Sequence, residues 1–375
     1  MLLTQDQEMI RDAVRDFARE QLWPQAARWD KEHIFPREAH RGLAALGAYG
    51  ICVPEEHGGA GLDYVTLALV LEEIAAGDGG TSTAISVTNC PVNAILMRYG
   101  NAAQKKQWLT RLAQGELLGV FCLTEPHVGS DASALKTTAV KDGDGYVING
   151  VKQFITSGKN GQLAVVIAVT DKGAGKKGMS AFLVPTEAPG YVVARLEDKV
   201  GQHSSDTAQI NFENCRIPAA NLIGEEGEGY RIALSSLEGG RIGIASQSVG
   251  MARSAFEVAV RYAKDRQSFG TAIINHQAVG FRLADCATQL EAARQLIWHA
   301  ASLRDAGQPC LKEAAMAKLF ASEMAEQVCS AAIQTLGGYG YVSDFPLERI
   351  WRDVRVCQIY EGTSDVQKII IQRAL

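Results

Sequence analysis

Three long segments in the C-terminal half of the chain repeat small apolar residues at steps of three and four. Ala245, Val249, Ala252, Phe256, Ala259 and Ala263 make the first stripe. Cys286, Leu290, Ala293, Ile297 and Ala300 make the second, and Ala314, Ala317, Ala321, Met324, Val328 and Ala331 the third. Residues at that spacing share one face of a helix. Alanine on such a face lets helix axes approach closely. With a short fourth helix after Glu361, the pattern predicts an up-down four-helix bundle over 226–375.

The remaining sequence has other periods. A chain of 375 residues is too long for one ordinary core, so two or three domains are expected. Residues 1–115 read as helical. Thr4-x-x-Gln7 fits a capping box, and Ile10, Val14 and Phe17 mark one face. Pro24 limits or kinks that element. Further helices are predicted over 39–46, 64–76, 83–99 and 102–113. The loop Pro54 to Gly61 is too rich in glycine for a helix. It follows no strand and lacks G-x-G-x-x-G, so it reads as a connector. Over 116–225 the pattern changes to short apolar runs: 117–124, 163–170, 180–184, 191–196 and 207–212. Tyr146-Val147-Ile148 and Val151 to Ile155 flank Asn149-Gly150, which predicts a hairpin with a type I′ turn. The middle region is therefore expected to be a small β-sandwich or barrel. The fold class is α+β and multidomain: helical domain, β domain, four-helix bundle.

Composition narrows the function. The net charge is −5 and the pI about 5.9, so no basic surface asks for nucleic acid or an anionic membrane. The eight cysteines are scattered singly, without C-x-x-C or histidine at metal-ligand spacing, so no metal site is expected. They read as small buried hydrophobes in a reducing compartment. The N-terminus enters a helix directly, with no signal-peptide core, Arg-rich transit segment or spanning run. The expected location is the cytoplasm, with a processed mitochondrial-matrix protein as the alternative.

Chemistry concentrates in a few loops. In Ile359-Tyr360-Glu361-Gly362-Thr363-Ser364-Asp365, a lone glutamate stands beside a glycine and two hydroxyls. A partly desolvated carboxylate at such a turn has a raised pKa and can act as a base. The plainer alternative is a helix cap at Thr363, Ser364 or Asp365. Thr124-Glu125-Pro126-His127-Val128-Gly129-Ser130-Asp131 leaves the first strand and offers amides and hydroxyls for a ring edge or phosphate, or is an ordinary turn. Phe154 to Gly158 offers an aromatic face and hydroxyls, or merely ends a strand. Glu238-Gly239-Gly240-Arg241 opens a long helix, with a solvated arginine as the plain reading. His127, His203 and His276 are isolated and read as surface or packing residues.

Taken together, these segments resemble the acyl-CoA dehydrogenase family over nearly the whole chain. Thr-Glu-Pro-x-x-Gly-Ser-Asp at 124–131 matches one family signature. Gln334-Thr335-Leu336-Gly337-Gly338-x-Gly340 matches a second, and Arg352-Asp353 followed by Ile359 to Ser364 a third. The likeness is strongest to short-chain and short-branched-chain members, through Gly240 to Ala245 and Lys312 to Lys318. The resemblance implies FAD between the β domain and the bundle. Phe121, Leu123, Thr124, Gly129, Ser130, Phe154, Ile155 and Thr156 would line it from one subunit. Arg266, Phe269, Gln277, Gln334, Leu336, Gly337 and Gly338 would grip the FAD of a neighbouring subunit, and Thr363, Ser364 and Asp365 would complete the site. A shared cofactor implies a homo-oligomer, typically a tetramer. Ser130, Glu238, Arg241 and Gly362 would hold the acyl-CoA substrate. Ser86 to Asn93 resembles the helix lining a short acyl pocket, and Asn89-x-x-x-Asn93 is similar to the 2-methyl-branched members.

The implied reaction is α,β-dehydrogenation of a short-chain acyl-CoA to the trans-2-enoyl-CoA. Glu361 takes the α proton, the flavin takes the β hydride, and electron-transfer flavoprotein is the acceptor. Departures are Phe154, where many relatives have tryptophan, and His127, where glycine is common. Isovaleryl-type relatives carry the base where this chain has Gly240, which leaves Glu361 as the base. Alternatives are a short-branched acyl-CoA dehydrogenase, an acyl-CoA oxidase and a non-catalytic CoA-ester-binding flavoprotein.

Overall fold

The computed structural model describes residues 2–375. Thr4 caps α1 (Gln5–Phe17): its hydroxyl accepts from Gln7 N, and the Gln7 side chain accepts from Thr4 N. A wide turn, Ala18–Leu22, carries the chain into α2 (Trp23–Glu32). Pro24 falls in the first turn of α2, directly after the wide turn Ala18–Leu22 that interrupts the regular helix and accommodates its missing N–H. After α3 (Arg37–Ala45), Asp63 caps α4 (Tyr64–Gly77), which is apolar around most of its circumference and buried along it. α5 (Gly79–Val87) and α6 (Ala94–Tyr99) are joined by a wide turn, Thr88–Asn93, that contains Pro91. α7 (Ala102–Gln104) and α8 (Thr110–Ala113) flank another wide turn.

The middle region has eight strands among the described residues: β1 (Gly119–Cys122), β2 (Thr138–Asp142), β3 (Gly145–Thr156), β4 (Leu163–Val169), β5 (Met179–Pro185), β6 (Tyr191–Leu196), β7 (Thr207–Pro218) and β8 (Leu222–Ile223). They form one sheet of order β6-β7-β3-β2-β4-β5-β8, with β1 parallel to β4. The rings of Tyr146 on β3 and Phe182 on β5 lie 4.9 Å apart. A flat sheet would separate strands three places apart by roughly 14 Å. The sheet therefore curls over a core that includes Val120, Ile148, Val166 and Ile210. The outer face of β4 packs on Leu96, Leu109 and Ile232, so this strand is buried on both sides.

Asn149-Gly150 makes no hairpin. β3 runs straight through it, and the tight turn comes earlier, at Gly143-Asp144 between β2 and β3. The pair sits instead at a bulge, where the register against β7 shifts between Ile148 and Gly150. Gly150 has φ 148°, and a Cβ there would lie 2.5 Å from Thr137 Oγ1. The dipeptide was legible as a backbone irregularity, and the bulge satisfies it as well as a turn does.

The C-terminal region contains α9 (Gly229–Asp265), a short ribbon of β9 (Gln267–Ser268) and β10 (Thr271–Ala272), α10 (Gln277–Asp305) and α11 (Leu311–Leu336). Three short helices follow: α12 (Gly338–Tyr341), α13 (Leu347–Val354) and α14 (Ser364–Gln372). The predicted stripes meet in one core, where Ala252, Ala259, Ala293, Ala314 and Ala321 are fully buried. The last helix, α14, lies along α11, while α4 of the N-terminal region lies against α9 and α10. This explains why α4 is apolar. Its two buried acids are paired: Glu72 with Arg253 and Arg294, and Glu73 with Arg15 and Arg253.

Candidate active site

Glu361 lies in the turn between α13 and α14. Its φ is 53° and that of Gly362 is 90°, so two successive residues are left-handed. For a non-glycine residue that conformation costs about 1–3 kcal/mol and persists only when the surroundings enforce it. The enforcement is visible. Gln367, fully buried on α14, donates through Nε2 to Glu361 O at 3.2 Å and Gly362 O at 2.8 Å. Lys318, fully buried on α11, donates to Gly362 O at 2.7 Å. Tyr360 sits beside Thr83 and Gln202, 3.5 and 3.4 Å away. The cap anticipated here belongs to Thr363, whose hydroxyl accepts from Val366 N. Cap and glutamate therefore coexist.

The Glu361 side chain is enclosed and incompletely paired. Oε2 is shut from solvent and has no hydrogen-bond partner among the described residues. Burial raises its pKa, and the charges of Arg241 and Lys318 oppose that rise. Its backbone N–H donates to no other described residue. The carboxylate faces α9, where a Cβ on Gly240 would lie 2.6 Å from Oε2. One turn along, a Cβ on Gly243 would come within 2.5 Å of Ser86 Oγ and 3.2 Å of Cys90 Sγ. Glycines thus let α9 approach both the Glu361 turn and the 86–90 segment.

Arg241 is not the solvated arginine of the plain reading. It is buried, two of its guanidinium nitrogens are unpartnered, and burial lowers its pKa against the pull of Glu361 and Glu238. Glu238 stands further out, beside Arg304 and Cys310. The amides of Asn89 and Asn93 are engaged with backbone groups. Asn89 bonds Ala48 O, Ile85 O and Ile51 N, and Asn93 bonds Tyr49 O, so both fasten the N-terminal chain.

A second group of predicted residues gathers at the ends of β1 and β3. Gln153 N donates to Thr124 O at 2.9 Å, which sets Phe121, Leu123 and Thr124 beside Phe154, Ile155 and Thr156. The β3–β7 register breaks between Lys152 and Ile155, and Phe154, at φ 59°, turns outward and is 62% exposed. Gly129 and Ser130 are exposed on the following loop. That loop is pinned by an ion pair missed in the sequence. Lys152 and Glu125, both fully enclosed, meet at 2.9 Å, and Glu125 also accepts from Lys136 N and Thr137 N.

A third group lies elsewhere. Arg266, Gln334, Leu336, Gly337 and Gly338 line one cavity of about 590 Å³ with Tyr262 and Ile273. Phe121, Thr124, Phe154 and Glu361 do not line it. Phe269, with φ 49°, is 98% exposed, and Gln277 is exposed at the start of α10. Ser364 Oγ is buried without a partner, while Asp365 points to solvent.

Models of the acyl-CoA dehydrogenase N-terminal, middle and C-terminal domains match residues 4–116, 120–215 and 227–375. This chain belongs to the acyl-CoA dehydrogenase family. Its members are FAD-dependent oxidoreductases. The mitochondrial short-chain specific acyl-CoA dehydrogenase of Rattus norvegicus is 46% identical over 98% of this chain and 90% of its own length. Butyryl-CoA dehydrogenase from Megasphaera elsdenii superposes with a TM-score of 0.98 at 39% identity, covering 100% of this chain and 99% of that one. A chain from a structure described as the electron transferring flavoprotein of Acidaminococcus fermentans has the same TM-score at 45% identity, covering 100% and 98%. The three-domain fold of this acyl-CoA dehydrogenase is thus the family's own. No helix among the described residues is long and apolar enough to cross a membrane.

Proposed function

We propose that this acyl-CoA dehydrogenase converts a short-chain acyl-CoA to its trans-2-enoyl-CoA, with Glu361 removing the α proton. The observation that carries the reading is the buried, unpartnered Glu361 Oε2 facing Gly240. An acidic α hydrogen needs a base freed from water and a donor for the thioester oxygen. Glu361 supplies the first through its carboxylate and the second through its free backbone N–H. The α proton moves to Glu361, and the carbon–carbon double bond forms as the β hydrogen leaves with its electron pair. When bound, FAD supplies the acceptor for that hydride.

The residues present fit FAD. Arg266 has no ion-pair partner among the described residues, and Gly337 and Gly338 face open space, a donor set suited to phosphate. Phe154 with Phe121, Leu123, Thr124, Gly129, Ser130, Ile155 and Thr156 would hold the ring end, and Thr363, Ser364 and Asp365 would close it. Because Arg266, Phe269, Gln277, Gln334, Leu336, Gly337 and Gly338 lie apart from these, they would serve a neighbouring subunit's FAD. The exposed Phe269 and Tyr341, 98% and 85% accessible, support a homo-oligomer, and a tetramer is the form proposed. Ser130, Glu238, Arg241 and Gly362 would hold the CoA ester. Electron-transfer flavoprotein is the proposed acceptor. The short-chain and butyryl names of the relatives support the substrate class.

The test is anaerobic stopped-flow with parent and Glu361→Gln holoenzyme against butyryl-, isobutyryl-, 2-methylbutyryl- and dodecanoyl-CoA. The parent should bleach fastest with a four- or five-carbon thioester. The variant should stay yellow, with a loss of ~10²–10⁴ or more. Reduction of the variant within a few-fold of the parent would remove Glu361 as the base, and a dodecanoyl preference would remove the short-chain assignment.

A further inference from the structure

Lys318 is a costly residue in an ordinary helix core. It follows Ala314 by four positions and precedes Ala321 by three, on the buried face of α11. It is 0% exposed, and its ammonium makes one hydrogen bond among the described residues, to Gly362 O. An ammonium with a single carbonyl partner is poorly compensated for leaving water. A methionine or leucine would fill the space without that penalty. The partner carbonyl, however, belongs to the residue after Glu361, in the turn where two successive φ values are positive.

We infer that Lys318 is a positioning residue for catalysis, fixing the turn that aims Glu361 and holding a buried positive charge against the residue next to it. The inference rests on the reading of Glu361 as the base. Two buried donors act on the turn from different helices: Lys318 from α11, and Gln367 from α14. Gln367 supplies hydrogen bonds without charge, and Lys318 supplies both. The other charged or titratable groups around this pair are Arg241 from α9, Cys90 from the turn after α5, Glu323 on α11 itself, and Cys357 before the Glu361 turn. Of these, Arg241 is the second cation opposing protonation of Glu361. Burial draws the Lys318 pKa down to about 8, so at neutral pH it is largely still charged.

The test separates the base from its support. Acetyl-CoA has α hydrogens and no β carbon, so it can exchange its methyl protons for deuterium without delivering a hydride. Exchange in D2O, read by NMR on FAD-loaded enzyme across pH, reports the base alone. Lys318→Met should exchange roughly tenfold or more slowly at neutral pH, with its acidic limb raised by about half a unit or more. Lys318→Gln, which retains a donor for the Gly362 carbonyl but no charge, should show the raised limb with a smaller loss in rate. Gln367→Met should lose rate with the limb unmoved. A limb unmoved in both Lys318 variants overturns the proposal. So does a Lys318→Met protein that exchanges at the parent rate. If the Met variant does not fold, the limb of Lys318→Gln decides alone. Loss of FAD with an unshifted limb would make Lys318 a purely structural residue and also overturns the inference. Glu361→Gln is the separate control: undiminished exchange in that variant refutes the base itself, whatever the Lys318 variants do.

Discussion

A Cβ placed on Gly240 would lie 2.6 Å from Oε2 of Glu361. The glutamate carboxylate therefore occupies space that any side chain at residue 240 would claim. Gly240→Ala should push the carboxylate from its position without touching the segments proposed to hold the flavin. Glycine inside a helix is about 1 kcal/mol less favourable than alanine, so the helix itself gains. The expected result is an FAD-loaded protein of equal or higher melting temperature whose reduction by butyryl-CoA is about tenfold or more slower. Equal rates would mean that the carboxylate tolerates displacement.

The pH dependence follows from the burial of Glu361. Its pKa is raised above the ordinary 4.5, first by burial, with Arg241 and Lys318 pulling the other way. With Glu361 as the proposed base the carboxylate is the active form, so kcat/KM should rise with pH along a limb centred above 4.5 and be lost below it. Stability runs in the opposite sense. The folded state holds this proton more tightly than the unfolded chain, so Glu361 costs the fold more as pH rises through its pKa. Glu361→Gln should then match or exceed the parent in melting temperature at pH 8, and the difference should shrink toward pH 4.5. A variant less stable at pH 8 than at pH 5, relative to parent, would contradict this sign.

The order helices, strands, helices was legible because period alone distinguishes them, and the alanine stripes do meet in the core. Pairings distant in sequence were not legible. Lys152 and Glu125 are 27 residues apart, and neither neighbourhood announces a buried charge. The amides of Asn89 and Asn93 satisfy backbone groups 38 to 44 residues earlier, a role their spacing does not announce. Lys318 was legible in principle. A lysine four residues after Ala314, inside an otherwise small-residue stripe, marks a buried charge that needs a reason. The motif around Glu361 singles out a candidate base, but the glycines opposite it, Gly240 and Gly243, acquire their meaning only when α9 is set against the turn.

The Lys152–Glu125 pair should control cofactor retention without touching the reacting atoms. Both side chains are enclosed, and burial, which would raise Glu125, is outweighed by Lys152 and the hydrogen bonds it accepts. Removing one partner of such a pair costs ~3–5 kcal/mol, because the other charge is stranded. Lys152→Met should lower the melting temperature and release FAD faster by freeing the 124–137 loop. Adding Glu125→Gln should recover part of the loss, since the stranded charge disappears. Calorimetry of the two variants, with flavin fluorescence on dilution, measures both effects. A double variant no more stable than Lys152→Met would show that the pair is not the unit that matters.

Arg266 provides the last test, because it bears on assembly and cofactor together. It is exposed after α9 and lines the 590 Å³ cavity with Gln334 and the Gly337-Gly338 turn. Gly337 has φ 61° and neither glycine has a neighbour within 4 Å of an added Cβ, so the backbone there is open to a ligand. A guanidinium matches pyrophosphate through two parallel hydrogen bonds, which an ammonium does not reproduce. If this cavity receives a neighbouring subunit's FAD, Arg266→Ala and Arg266→Lys should both lose FAD on dilution, Ala more than Lys. Each lost charge-assisted contact is worth ~1.5–3 kcal/mol, or roughly ten- to hundredfold in affinity. Gel filtration with and without added FAD then separates the two roles. Re-addition should restore the assembled form if the arginine acts through the cofactor. An Ala variant that keeps full FAD occupancy and parent elution through repeated dilution would show that the cavity serves neither.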